Sequence, residues 1–260
     1  VTEFDGSPVY ERHHAPNFSL FRVNGKNPFL WPVGDYTGGR GIGWAISTKY
    51  FSNTIWESDF DNDIRNANHN FVREFVATNP SSPLFGQIIS TENPPAGITV
   101  PSRMFYAYQS KVTTPYNHPE NLYLDKSNYL LKNTAGGTYT DQYMFRLAET
   151  YLLRAEAYLG NKEPDKAAED INVVRRRSNA SEVTAAVINM DYILDERMRE
   201  LGVEEKRRLT LMRLGLLYDR VHRLNPYYSD IQSFHNLFPI PQTEIERNRE
   251  VRLDQNFGYN

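Results

Sequence analysis

The chain has 260 residues, 40% hydrophobic and 23% charged, which is enough apolar material for a sizeable core and too much for a disordered segment. A net charge of -3 excludes, on composition, a strongly basic nucleic-acid binder. Zero cysteines exclude disulfides, thiolate zinc sites and cysteine nucleophiles together.

In chain order, Val1 to Asp5 offers neither the basic start nor the apolar stretch of a signal peptide. No apolar run anywhere approaches the roughly 18 residues that span a bilayer. Residues 1–46 read as loops with short strands. Asn24-Gly25 between Leu20 and Lys26 is a hairpin signal, because both residues tolerate the positive φ of a type I′ turn. The segment from Asp35 to Gly43 is glycine-dense and reads as flexible. Ser47 or Thr48 can cap a short helix through Tyr50, Phe51 and Ile55 that ends before Asp61. Phe71 to Val76 alternates as a strand does.

Residues 80–133 carry seven prolines (Pro80, Pro83, Pro94, Pro95, Pro101, Pro115 and Pro119), interleaved with Phe105, Tyr106, Tyr108, Tyr116 and Tyr123. So long an irregular stretch reads as ordered surface, since its rings need somewhere to pack. A helical part begins near Asp141. Apolar spacing predicts a helix over Tyr143–Leu159 that Gly160 stops, then a second from Pro164 to Arg177. The pair matches a tetratricopeptide repeat, with small and apolar residues at Ala155, Tyr158, Ala167, Ile171 and Val174. Arg154 departs from it, standing where leucine is usual. One pair cannot bury its own face, so neighbours are expected from helices at 184–201 and 205–223 and from repeats before Val1. In the first of these, Val187, Met190, Leu194, Met198 and Leu201 form an apolar stripe. Asp195 with Arg199, and Glu204 with Arg208, are spaced for ion pairs on a salt-bridge-laced face. At the end, Pro239 and Pro241 stiffen the chain, and Thr243 with Glu246 reads as a capping box opening a short helix. An aromatic tail follows, which must dock on something.

No catalytic constellation survives inspection. The six histidines lack zincin spacing, and Gly-x-Ser-x-Gly is absent. His13-His14 could hold a metal, but an exposed loop pair is the plainer reading. Gly39 to Gly43 is one residue short of a dinucleotide fingerprint. The alternating acids at Glu57, Asp59, Asp61 and Asp63 imitate an EF-hand, yet Ile64 and Asn70 occupy its glycine and glutamate positions. No metal or cofactor site is assigned.

The segment Ile193 to Leu201, the run Phe238 to Ile245 and the tail Leu253 to Tyr259 together resemble the C-terminal part of the SusD/RagB family. Around Glu204 to Leu211 the family's usual glycine, tryptophan, phenylalanine and aspartate are replaced, while Glu204 and Arg207 remain. The resemblance implies a mainly α fold: an α-α superhelix with a tetratricopeptide-like pair, long irregular loops and a few short strands. It implies a ligand-facing portion at 1–140, scaffold helices at 141–224 and a wrapping segment at 225–260, all parts of one domain lacking its N-terminal half. The implied function is noncatalytic capture of a glycan or other nutrient at the bacterial cell surface. Delivery goes to a SusC-like TonB-dependent transporter, and attachment is through an N-terminal lipid anchor absent from this chain. A cytosolic tetratricopeptide-type interaction scaffold is the competing reading. Sugars offer apolar faces to rings and hydroxyls to polar groups, so Trp31, Asp35, Tyr36, Arg40 and Trp44 are the candidate ligand residues.

Overall fold

The computed structural model describes residues 13–30, 34, 39–112, 118–135 and 143–259. The chain divides into two compact units, residues 1–205 and 206–260.

In the first unit, residues 13–135 are mostly irregular backbone around a core of rings. Phe18, Phe21, Phe29, Phe75, Phe105, Tyr106 and Tyr108 are buried together. Their rings meet edge-on or offset, as Phe18 with Phe29 (centroids 4.8 Å apart) and Phe21 with Phe105 (4.8 Å). Asn24 and Gly25 take φ of +49° and +76°, and Val23 and Lys26 exchange backbone hydrogen bonds, which closes the expected turn. Helix α1 (Lys49–Ser52) is capped by the Thr48 hydroxyl, which accepts from the Phe51 amide, and a 3₁₀ segment Thr54–Asp59 continues it. Phe71 to Val76 alternates in burial as predicted, but as two short strands, β1 (Phe71–Val72) and β2 (Glu74–Val76). β3 (Ile88–Ser90) pairs antiparallel with β2, and β4 (Tyr108–Gln109) with β1. β5 (Tyr123–Asp125) and β6 (Leu130–Leu131) form a third ladder.

The helix pair is α2 (Leu147–Gly160) and α3 (Pro164–Arg177). Leu152, Ala155, Ala167, Ile171 and Val174 interlock between them, and small side chains allow that approach. Ile188 and Ile193 join the same cluster, so α4 (Met190–Glu200) supplies one expected neighbour. Arg154 is explained: its guanidinium clasps Asp170 of α3 at 2.6 and 2.7 Å.

Three expectations fail here. Asp141 lies outside the described residues, and α2 starts only at Leu147, because Arg146 is extended (φ -147°, ψ 157°) and reaches Glu200 and Glu204. The apolar stripe at 184–201 is broken, since Val187 is exposed and the buried face of α4 includes Glu196, Arg197, Arg199 and Glu200. Those charges are no solvated face. Arg199 pairs with Glu196 at 2.8 Å, while Asp195 accepts from the Tyr50 hydroxyl.

Glu196, fully buried, receives Arg65 (2.8 Å), Arg175 (2.9 Å) and Arg199 (2.8 Å). Glu200 receives Arg65 (3.0 Å), Arg177 (2.6 Å) and Arg146. Asp63 and Asp59 complete the network on Arg65 and Arg175, each at 2.6 Å. Burial alone would raise the Glu196 carboxyl, but Arg199, Arg65 and Arg175 outweigh it and hold it far below the usual range. Two of the four acids that imitated a calcium loop, Asp59 and Asp63, are thus engaged in structure.

The second unit holds α5 (Arg207–Arg213), α6 (Leu217–Leu224) and α7 (Gln242–Arg247). The single helix expected at 205–223 is interrupted at Gly215, whose φ of +69° ends α5. Leu216 N–H donates to Leu211 O and Gly215 N–H to Met212 O, a Schellman closure. The capping box at Thr243 does not form, because α7 already begins at Gln242 behind Pro241 and has no side-chain cap. The tail docks as expected. Gln255 accepts from Ile240 N and donates to Ile240 O, both at 2.7 Å, gripping the one residue between Pro239 and Pro241. Tyr259 donates to Leu237 O at 2.8 Å and packs edge-on against Phe234. Among the described residues, no helix is long and apolar enough to cross a membrane.

Candidate functional site

The glycine-dense segment 39–43 is not flexible as expected; it is threaded between two other segments. A Cβ on Gly41 would lie 2.2 Å from Ala15 O. Gly43 has φ of +61°, and a Cβ there would lie 2.4 Å from Arg103 O. Only glycine fits either place. Gly43 N donates to Ala15 O (3.0 Å), and the Trp44 and Ala45 amides both donate to His13 O (3.0 and 2.8 Å). Arg103 Nε donates to Ile42 O at 2.7 Å, and the Tyr106 hydroxyl to His14 O at 3.0 Å. Residues 13–17, 39–46 and 103–106 thereby form one braced surface.

Trp44 stands on that surface, 68% exposed. His13 stacks on it with centroids 5.1 Å apart and planes 23° from parallel. His13, half of a pair that reads as a plain loop, is the ring that fixes the indole. Burial, aided by His13, lowers the neighbouring His14 imidazole to about 4, so it is neutral at pH 7. Arg40 donates from its guanidinium to the Asn133 carbonyl, which holds it at the edge of the loop. Trp31, Asp35 and Tyr36 lie outside the described residues. Sequence reasoning missed Arg103, whose role as a brace has no local signature.

A more charged cleft lies elsewhere in the first unit. About 540 Å³ in volume, it is lined by Lys111, Tyr143, Arg146, Tyr151, Arg177, Glu200 and Glu204. Its charges already answer one another: Arg146 and Arg177 sit on Glu200, and Lys111 lies 3.3 Å from Glu204. The Trp44 platform, in contrast, offers an uncommitted ring. Among the described residues, no three histidines or acids gather as metal ligands.

Comparison with known proteins follows this geometry. The SusD family model matches residues 24–259. The starch-binding protein SusD of Bacteroides thetaiotaomicron is 36% identical over 130 residues, 46% of this chain and 22% of that protein. The SusD-like protein P25 of Formosa agariphila is 35% identical over 115 residues, 40% of this chain and again 22% of the relative. The matched stretches thus span about a fifth of either relative. Among solved structures, surface glycan-binding protein A from Bacteroides thetaiotaomicron aligns over 97% of this chain and 47% of its own, with TM-score 0.57 and 19% identity. That likeness supports the mainly helical fold with its tetratricopeptide-like pair, long loops and short strands.

Proposed function

The chain belongs to the SusD family, and on that premise we propose that it presents the ligand face of a noncatalytic glycan-capture protein at the bacterial cell surface. Relatives named for starch binding and surface glycan binding support the ligand class. The observation that carries the reading is Trp44, an exposed indole braced by His13 and by glycines that leave the loop no freedom to collapse. A large ring held out in water is costly unless something covers it, and the apolar face of a sugar ring does so. Trp31, Asp35, Tyr36 and Arg40 would extend the platform around it. Captured ligand would pass to a SusC-like TonB-dependent transporter in the outer membrane, with the protein held there by an N-terminal lipid anchor.

A glycan array on the intact protein tests the ligand class, followed by titration of the bound glycan. Replacing Trp31, Tyr36 and Trp44 together by alanine abolishes binding; unchanged affinity removes those residues from the site. Release of new reducing ends from the bound oligosaccharide would overturn the noncatalytic reading.

A second reading has its own observation. Tyr143, Met144, Phe145 and Leu147, just before and at the start of α2, are all exposed, an apolar run suited to a protein partner. This is what an interaction scaffold would present, and it is equally where a transporter would bear on the helical region. Photocrosslinking from position 145 in cells tells them apart. A TonB-dependent transporter in the adduct supports capture; cytosolic proteins alone would favour the scaffold.

A further inference from the structure

A second cavity remains that the Trp44 platform does not use. It lies between residues 47–53 and the proline-rich stretch 91–101, with a volume of about 400 Å³. That is within the size range of small-molecule sites. One side is apolar, from Pro94, Ile98 and Val100, and the last two also pack against the ring core beneath. The lining also carries Lys49 and Asn53 from the other segment, and Thr91 and Glu92 from the proline-rich stretch itself. Thr91 is only 6% exposed, and its hydroxyl has no hydrogen-bond partner. That hydroxyl is an unmet hydrogen-bonding capacity beside the cavity. Ser47, three residues after Trp44, and Tyr106, which holds the His14 carbonyl, both line the cavity. The cavity therefore shares its frame with the exposed indole.

We propose that this cavity is a subsite for one uncharged, hydroxyl-rich sugar ring of a glycan whose neighbouring ring stacks on Trp44. The proposal rests on the glycan-binding reading above. An apolar wall facing polar groups matches a pyranose, whose C–H face is apolar and whose rim is hydroxyls. The lining carries one cation and one anion, Lys49 and Glu92, and both are exposed enough to meet a ligand. Arg73 lies behind the wall: Thr91 N donates to its carbonyl, and its guanidinium is spent on Asn66, Phe71 and Ser52. Its charge acts on Glu92. With Lys49 already balanced by Glu92, the lining offers a sugar carboxylate no net positive charge, and Glu92 repels it, which selects for neutral rings.

The test is calorimetric titration of the intact protein with maltoheptaose, laminariheptaose and a homogalacturonan heptamer. Wild type is compared with Trp44→Ala, Asn53→Ala and Glu92→Gln, with melting temperatures confirming that each variant folds. The expected result is that wild type binds a neutral heptamer and not the acidic one. Asn53→Ala and Glu92→Gln each lose about tenfold in affinity, the size of a lost hydrogen bond. Glu92→Gln also gains binding of the acidic heptamer. If a neutral heptamer binds and Trp44→Ala weakens it, but the two cavity variants stay within about twofold, the subsite is wrong and the glycan reading stands. Binding of the acidic heptamer alone by wild type overturns the neutral assignment. If no heptamer binds, the glycan reading fails and takes this proposal with it.

Discussion

The first unit fills two parts of its interior with opposite materials, rings among the loops and charge where the loops meet α3 and α4. Around Phe18, Phe75 and Phe105 the interior is rings, whose attraction has little direction. Around Glu196 it is charge, three guanidiniums meeting on one carboxylate that no water reaches. A ring cluster forgives a change of shape as long as its volume is kept. A buried ionic cluster does not, because removing one member leaves the others charged, dry and unpaired. The difference explains how a region with so little regular structure coexists with a rigid helical scaffold. The loops need only a filled interior, while the scaffold needs a fixed stoichiometry of charge.

The sharpest break of that contrast comes from Glu196→Ala. It takes one carboxylate from Arg65, Arg175 and Arg199 at once and should cost about 3–5 kcal/mol in urea unfolding. Phe75→Leu, which trims a ring of that cluster but keeps it apolar, should cost less, about 1–2 kcal/mol. Equal losses would show that the two interiors are not different in kind.

Acid probes the same contrast without mutation. Glu196, Glu200 and Asp59 are all held below their ordinary values, despite burial, by guanidiniums and hydrogen bonds. Carboxyls lowered in the folded state contribute stability that is present above their unfolded values and lost as pH falls through the folded ones. His14 acts in the same direction. Its fall from 6.5 to about 4 means the unfolded chain takes up a proton first, so stability declines between those values. At 1.36 kcal/mol per unit, that is ~3 kcal/mol at most. The melting temperature should drop steadily below pH 6.5 and faster below 4.5. A flat profile to pH 3, roughly one unit below an ordinary carboxyl, would deny the network its role.

Gly43→Ala tests whether the loop is truly braced. With φ at +61° and Arg103 O in the way, it should cost about 1–3 kcal/mol and displace Trp44. Indole quenching by acrylamide would register the movement, and unchanged stability with unchanged quenching would mean a slack loop. The smallest effect belongs to Arg154→Leu, which restores the repeat's usual residue. The Arg154 side chain is 55% exposed, so solvent screens its pair with Asp170 and the melting temperature should scarcely move. A much larger loss would place this bridge with the buried network.

Much of the helical region was legible, because its signals are local. Pro164, Asn24-Gly25 and Thr48 each dictate backbone through their own chemistry and act where expected, whereas Gly160 is the last residue of α2 and the left-handed closure falls on Lys162. What stayed hidden has partners far along the chain. Asp195 and Arg199 are spaced for a surface pair, yet Arg199 turns inward to Glu196 and the Ile55 carbonyl, 144 residues upstream. Likewise the glycines at 41 and 43 read as freedom until Ala15 and Arg103 occupy the space beside them. Of the candidate ligand residues, Trp44 and Arg40 flank the braced loop, and only the first presents an open ring. Aromatic composition alone could not separate that indole from Trp56, which is buried in the core.

Arg65 and Glu196 are 131 residues apart in sequence, and Arg175 and Asp59 are 116 apart. Neither clasp can close until a ribosome has released nearly all of the first unit. Such distant closures are slow, since loop entropy must be spent before any contact repays it. Until that moment, the nascent segment carrying Asp59, Asp63 and Arg65 is unfinished and exposed to proteases. Its completion therefore waits on α3 and α4, synthesised more than a hundred residues later.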